Sequence, residues 1–356
     1  MQIEKREHRI PAKEEDLQIS KKNKESLIKQ GYRLVGHHSA VKVCGWTKNM
    51  LKGKGGCYKY TFYGIRSHQC MQMTTSMYCA SRCLFCWRGE KAPVAKKWYG
   101  TIDDPDKIID SSSEEHIGLL AGFKGNKKIP QGLVSQMQRI KHVALSLTGE
   151  PITYPQMNEI LDSFHKRRIS TFLVTNAQYP EEIRNIKAVT QLYLSIDAPN
   201  KDLFKKVDRP LFPDYYDRML ECLDVLATRP YRTCIRLTII KDMNNQDYPG
   251  YAELIKRGKP DFIEIKSYMW VGPSQQNLKY ENMANEEDLH AFAKELLKEI
   301  PEYEYITEHA PSRVLLLMKK NLGKKRWINF PEFFSYVNNG KIPKTEEYNS
   351  EKICPN

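Results

Sequence analysis

The sequence predicts an α/β fold of parallel strands, wound as one barrel-like domain with extensions at both ends. Three observations carry that reading. A chain of 356 residues suits one large α/β barrel, a class that often runs about 200–250 residues as a single unit. From Lys141 onward, short β-rich runs alternate with amphipathic helical stretches, the order that builds parallel βα units. Polar residues close those runs, at the strand ends where such folds collect ligand-binding groups.

In chain order, residues 1–38 form a charged N-terminal extension, in which KKNKESLIKQGYRLV reads as a short surface helix packed by Leu27 and Ile28. A core spans 39–310. Residues 39–90 hold six of the nine cysteines. Residues 91–140 read as a polar insertion, with a helix over Ser112–Leu120 opened by the capping-box spacing of Ser112 and Glu115. The strands follow as HVALSLT (142–148), ISTFLVT (169–175), QLYLSID (191–197), TCIRLTII (233–240) and FIEIKSY (262–268). Met157, Ile160, Leu161 and Phe164 keep helical spacing between strands, as do Leu289, Phe292, Ala293, Leu296, Leu297 and Ile300. The runs end on Thr148-Gly149-Glu150-Pro151, Thr175-Asn176, Ser195-Ile196-Asp197 and Lys266-Ser267-Tyr268, which parallel winding gathers on one rim. Residues 311–356 form a C-terminal extension.

Composition removes several classes. With 40% hydrophobic and 28% charged residues, the chain is neither disordered, collagen-like nor a coiled coil as a whole. Its longest aliphatic run, Val314–Met318, is far short of the roughly 20 residues that cross a bilayer. The opening MQIEKREHRI has no apolar signal region, so a cytoplasmic location is expected. A net charge of +13 and a pI near 9.1 suit a polyanionic partner. The basic segments with nearby aromatics are Lys166-Arg167-Arg168, Lys205-Lys206 with Arg209, and Lys324-Lys325-Arg326-Trp327.

The cysteines carry the chemistry. Clustered thiols in a cytoplasmic protein point to metal or redox chemistry. Cys79, Cys83 and Cys86, in CASRCLFC, let one loop direct three sulfurs at one centre, with no fourth ligand nearby. Structural zinc takes four protein ligands; an iron–sulfur cluster with one iron open to a substrate accounts for three. Cys44, Cys57 and Cys70 repeat the deficit as CX12CX12C and suggest a second cluster. The alternatives are a zinc-stabilised RNA-binding module and, for the second array, buried free thiols, which is how Cys222, Cys234 and Cys354 are read.

CX3CX2C with Phe85 before its last cysteine resembles the radical S-adenosylmethionine enzymes. Both arrays together, with HSAVKVCGW, GCYKYTFYGIRSHQC, LSLTGEPITYP, FLVTNAQYP and LSIDAPN, resemble the archaeal tRNA 4-demethylwyosine synthases from about Ser39 through Tyr268. The resemblance implies a partial (β/α)6 TIM-like barrel of the radical S-adenosylmethionine type. It implies that Cys79, Cys83 and Cys86 hold the 4Fe–4S cluster that binds S-adenosylmethionine, whose one-electron reduction gives methionine and a 5′-deoxyadenosyl radical. Cys44, Cys57 and Cys70 would hold an auxiliary 4Fe–4S cluster whose open iron chelates pyruvate. The implied reaction condenses N1-methylguanosine, next to the anticodon of tRNA-Phe, with two carbons of pyruvate to give the tricyclic 4-demethylwyosine.

By the same resemblance, Thr148, Gly149 and Glu150 match the family's GGE-type segment, with Thr in place of the first Gly. Asn176, Ser195 and Asp197 stand where such enzymes contact the ribose or the methionine carboxylate. The ketone of pyruvate invites a Schiff-base lysine; Lys59, two residues after Cys57, is the first candidate and Lys42, two before Cys44, the second. The family's eukaryotic members carry a flavodoxin-like electron-supplying domain, and nothing of that size precedes Cys44. An external donor, ferredoxin or flavodoxin, is therefore expected, and a monomer.

Overall fold

The computed structural model describes residues 18–89 and 92–354. The first 17 residues of the expected N-terminal extension, and Lys91 at the start of the expected insertion, lie outside the described residues. Ten strands form the main sheet: β1 (Arg33–Val35), β2 (Ser39–Lys42), β3 (Cys70–Thr74), β4 (His142–Leu145), β5 (Ser170–Thr175), β6 (Gln191–Ser195), β7 (Thr233–Ile239), β8 (Phe262–Ser267), β9 (Tyr303–His309) and β10 (Val314–Lys319). Their order is β1-β2-β3-β4-β5-β6-β7-β8-β10-β9. Strands β3 to β8 are parallel neighbours in sequence order. β2 lies antiparallel on β3 and β10 antiparallel on β8, so the six parallel strands curl without closing on each other. This is the partial (β/α)6 barrel. Five of its strands are legible in the sequence; β3, CMQMT, is too short and too polar to stand out among the cysteines.

Helices cover the outside: α1 (Lys21–Lys29), α2 (Gly45–Leu51), α3 (Tyr58–Tyr63), α4 (Pro105–Leu119), α5 (Ala121–Lys124), α6 (Gln131–Gln136), α7 (Met157–Lys166), α8 (Pro180–Asn185), α9 (Lys201–Asp208), α10 (Tyr215–Leu226), α11 (Tyr248–Gly258), α12 (Glu286–Glu299), α13 (Phe330–Asn338) and α14 (Thr345–Tyr348). In α7 the spaced Met157, Ile160, Leu161 and Phe164 are all buried, the stripe an amphipathic helix lays on a sheet. None of the described helices is long and apolar enough to cross a membrane.

Two local expectations are corrected. Helix α4 starts seven residues before Ser112, because Asp104 caps it by accepting from the Lys107 N–H at 3.0 Å and Pro105 occupies its first turn. Ser112 is buried inside the helix and caps nothing. In α1, Leu27 packs inward while Ile28 is 44% exposed. Helices α4 to α6 occupy the crossover between β3 and β4, the place a βα unit reserves for its helix.

The C-terminal segment staples the base of the barrel. Strand β10 continues the sheet, and α13 packs on α7. The fully buried Arg232 donates to Gln191 Oε1 at 3.0 Å and to the Arg326 carbonyl at 2.8 Å, while its N–H donates to Tyr348 Oη at 2.8 Å. A buried guanidinium is tolerated because its donors are used.

Candidate active site

The CASRCLFC loop follows β3 and is pinned to the rim through its backbone. Arg82 N–H donates to the Asp208 carbonyl at 3.1 Å and Leu84 N–H to the Val207 carbonyl at 2.8 Å. Leu84 anchors the loop in an apolar nest with Val207, Ile240, Tyr268 and Leu278. Burial pushes the Cys79 thiol up to about 12, and the Cys83 thiol up as well, with Asp208 adding to the latter. Cys83 Sγ donates to Asp208 Oδ1 at 3.3 Å. Thiols this buried stay protonated until a metal centre takes the proton's place.

The strand ends converge on this loop as expected. Gly149 has φ +65°, and a Cβ there would lie 1.9 Å from the Ser76 carbonyl oxygen, so only glycine fits. Glu150, 2% exposed, accepts from the Asn176 N–H at 3.0 Å, and burial raises its carboxyl to about 8. Asn176 Nδ2 reaches Cys79 Sγ and Ser81 Oγ, each at 3.4 Å. Asp197 accepts from the Thr238 N–H at 3.0 Å and is raised to about 6 by burial. Ser195 ends β6 beside Arg236. Thr148 Oγ1 is buried with no hydrogen-bond partner among the described residues, a polar atom that a bound ligand would satisfy. The structure therefore brings all six of these residues to one rim.

The second triad lies below, inside the barrel. Cys44, Cys57 and Cys70 line one cavity of about 400 Å³. Its walls run up the strands through Gln72, Ala144, Val174, Arg236 and Lys266 to Phe85 and Trp87, which flank Cys86 in sequence. The cavity thus runs from the second triad up to the two aromatic neighbours of Cys86. Burial raises Cys70 to about 12 and also raises Cys44, while Lys59 pulls both back. Among the described residues, the only three ligand atoms mutually within 4.8 Å belong to Glu286, His290 and Glu308. Neither triad is drawn in to the spacing of ligands on one ion, and the cavity beside Cys44, Cys57 and Cys70 has the room a multi-iron cluster needs.

The two lysines part company here. Lys59 is 8% exposed and lines the cavity, its Nζ 5.6 Å from the Phe172 and Tyr193 ring centres and 6.0 Å from that of Tyr58. Lys42 points elsewhere, over Tyr32 at 4.7 Å and Trp87 at 5.5 Å, and is not part of the cavity wall. The sequence marks Lys266 only as a strand-end residue of the rim and does not mark Arg236 or Asp208. Arg236 carried a signal: a lone cation inside the apolar run TCIRLTI.

A partial (β/α)6 barrel with a CX3CX2C loop after its first parallel strand defines the radical S-adenosylmethionine class. The family comparisons agree: residues 73–255 match the Radical SAM superfamily and residues 257–319 the family described as Wyosine base formation. Similar curated proteins are the S-adenosyl-L-methionine-dependent tRNA 4-demethylwyosine synthases of Mus musculus and of Oryza sativa subsp. japonica. The mouse protein is 44% identical over 92% of this chain and 47% of its own length; the rice protein is 44% identical over 91% and 50%. The chain spans about half the length of these relatives. A solved structure of TYW1 with a lysine–pyruvate adduct is 34% identical, with a TM-score of 0.78, over 88% of this chain and 99% of that one. An archaeal TYW1 crystal structure is 31% identical, with a TM-score of 0.70, over 85% and 97%. The chain belongs to the TYW1 family of tRNA 4-demethylwyosine synthases. S-adenosylmethionine and a 4Fe–4S cluster are the cofactors of its superfamily.

Proposed function

We propose that this chain condenses N1-methylguanosine, next to the anticodon of tRNA-Phe, with two carbons of pyruvate to form 4-demethylwyosine. The observation that carries the reading is Lys59: a buried amine in the cavity lined by Cys44, Cys57 and Cys70, whose wall reaches Phe85 and Trp87 beside Cys86. The lysine–pyruvate adduct named for a structure 34% identical to this chain supports the same chemistry.

Each group has a place in that reaction. Cys79, Cys83 and Cys86 hold the first 4Fe–4S cluster, and Cys44, Cys57 and Cys70 a second. Bound there, S-adenosylmethionine would bring the one-electron radical chemistry of its class. Glu150 and Thr148 would serve its ammonium, and Asn176, Ser195 and Asp197 would hold the rest of it along the rim. The Lys59 amine attacks the ketone carbon of pyruvate; the ketone oxygen leaves as water with the two amine protons, and an imine remains. Phe172, Tyr193 and Tyr58 keep bulk water from that imine. The reacting base leaves the anticodon stack to enter the cavity mouth, where Phe85 and Trp87 offer aromatic surface. The electron comes from an external donor, ferredoxin or flavodoxin, and the enzyme acts as a monomer.

The test is mass spectrometry of nucleosides from N1-methylguanosine tRNA after anaerobic incubation with reconstituted protein, S-adenosylmethionine, pyruvate and dithionite. A pyruvate-dependent tricyclic base is expected. Cleavage of S-adenosylmethionine with the base unchanged would contradict the synthase reading and leave the radical core standing.

A further inference from the structure

Apart from Cys44, Cys57 and Cys70, whose sulfurs would be thiolates on a cluster, the ionisable side chains lining the cavity around Lys59 are cations and tyrosines. Lys59, Arg236 and Lys266 line it, and no Asp or Glu is among its described lining residues. Arg236 is partly compensated from behind: its Nε donates to Glu264 Oε2 at 3.1 Å, and Glu264 is fully buried. Its Nη2 donates to Tyr58 Oη at 2.8 Å, which fixes the guanidinium plane at the wall. Lys266 has no such counter-ion. Its Nζ donates to the Ser312 carbonyl at 2.7 Å, and no carboxylate pairs with it among the described residues.

Each of the two cations shares an aromatic neighbour with Lys59. The Tyr58 ring centre lies 5.7 Å from Lys266 Nζ and 6.0 Å from Lys59 Nζ. The Tyr193 ring centre lies 5.0 Å from Arg236 Cζ and 5.6 Å from Lys59 Nζ. An ammonium shielded from water with no paired carboxylate is costly, and burial together with Arg236 lowers Lys266 to about 8 against the opposing pull of Glu264 and Cys57. An anion entering the cavity removes that cost.

Building on the reading of Lys59 as the Schiff-base residue, we propose that Arg236 and Lys266 read the carboxylate of the bound oxo acid. The cavity then selects 2-oxo acids over neutral ketones before any radical forms. Once the ketone carbon is bonded to Lys59, the carboxylate sits one carbon away and is held by two charge-assisted contacts. It can rotate no further, which fixes the direction in which the methyl group points. Arg236 and Lys266 are positioning residues; the bond is made by Lys59.

The experiment uses reconstituted holoprotein without tRNA. Pyruvate or its neutral ester, methyl pyruvate, is added with cyanoborohydride, and adducts on Lys59 are quantified by peptide mass spectrometry. The wild type should trap pyruvate at least about tenfold better than the ester, the worth of one charge-assisted contact. Lys266→Met and Arg236→Gln should each lower that preference several-fold by losing pyruvate trapping, not ester trapping. Lys266→Arg, which keeps the charge, should retain it and guards against a folding artefact. If the wild type traps on Lys59 and the variants keep the full preference, the carboxylate assignment is overturned and the Lys59 chemistry stands. If the wild type traps nothing on Lys59, the underlying reading fails and takes this inference with it.

Discussion

Asn176 Nδ2 lies 3.4 Å from Cys79 Sγ, while the Asn176 N–H is held by Glu150 Oε2 at 3.0 Å. One residue thus ties the end of β5 to the cysteine loop on one side and to the GGE-type segment on the other. A hydrogen bond to a ligating sulfur raises a cluster's potential by favouring its reduced, more negative state. Asn176→Leu should therefore shift the first cluster's potential downward by on the order of 40 mV, the equivalent of about 1 kcal/mol for one electron. Electron paramagnetic resonance during a redox titration reads this shift, and an unchanged potential would remove Asn176 from the cluster's surroundings.

Lys59 and Lys42 should separate cleanly under substitution. Lys59→Met should abolish the borohydride-trapped pyruvate adduct while leaving S-adenosylmethionine cleavage within about threefold of the wild type. Lys42→Met should leave the adduct in place, because Lys42 lies over Tyr32 and Trp87, outside the cavity wall. An adduct that follows Lys42 would reverse the assignment.

Gly149→Ala should damage the fold at the site. The positive φ of +65° and the 1.9 Å approach to the Ser76 carbonyl together cost roughly 2–4 kcal/mol. Urea unfolding of the reconstituted protein should show that loss, and a variant as stable as the wild type would mean the turn rearranges freely.

Acid should destabilise the protein through histidines buried in the neutral form. Burial lowers His142 and His165 to about 3 and His116 to about 4. Their folded values lie below the unfolded value near 6.5, so the unfolded state binds more protons as pH falls. Stability is full above about pH 6.5 and is lost progressively below it, by about 2 kcal/mol per histidine at pH 5. Neither ring nitrogen of His116 has a hydrogen-bond partner among the described residues. His116→Leu should thus gain about 2 kcal/mol relative to the wild type on going from pH 8 to pH 5. Equal differences at both pH values would contradict this.

Of the three basic segments, only one lies on the site's rim. Lys166-Arg167-Arg168 follow α7 and precede β5, at the opposite end of the barrel, and Arg167 is paired with Asp106 and Asp110. Lys324, Lys325 and Arg326 follow β10, whose end pairs with the start of β8, again at the base. Lys205 and Lys206 are exposed on α9, which begins just beyond the end of β6 and ends at Asp208 beside the cysteine loop. Lys205→Glu with Lys206→Glu should weaken tRNA binding about tenfold and flatten its salt dependence; charge reversal at Lys166 and Arg168 should do neither. Filter binding across a salt series would decide between the faces.

What the sequence shows and hides follows from range. The cysteine arrays are legible because each triad lies within one stretch of sequence, and Lys59 is legible because it sits two residues from Cys57. The rim at Thr148–Glu150, Asn176, Ser195 and Asp197 is legible because parallel winding puts every strand end on one side. Arg236 and Glu264 are hidden: their pairing depends on the register of β7 against β8, which sets them opposite each other. Lys266 is legible as a strand-end residue, but its place in the wall of the Lys59 cavity depends on how the barrel turns it inward. The start of α4 was missed because Asp104 and Pro105 cap it more strongly than the Ser112–Glu115 pair that copied the pattern.

The most direct test of the central claim uses pyruvate labelled with carbon-13 at all three carbons in the complete anaerobic reaction on N1-methylguanosine tRNA. The wild type should yield a tricyclic nucleoside carrying two labelled carbons, and Lys59→Met none. A product without label, or an equal labelled product from Lys59→Met, would contradict that claim.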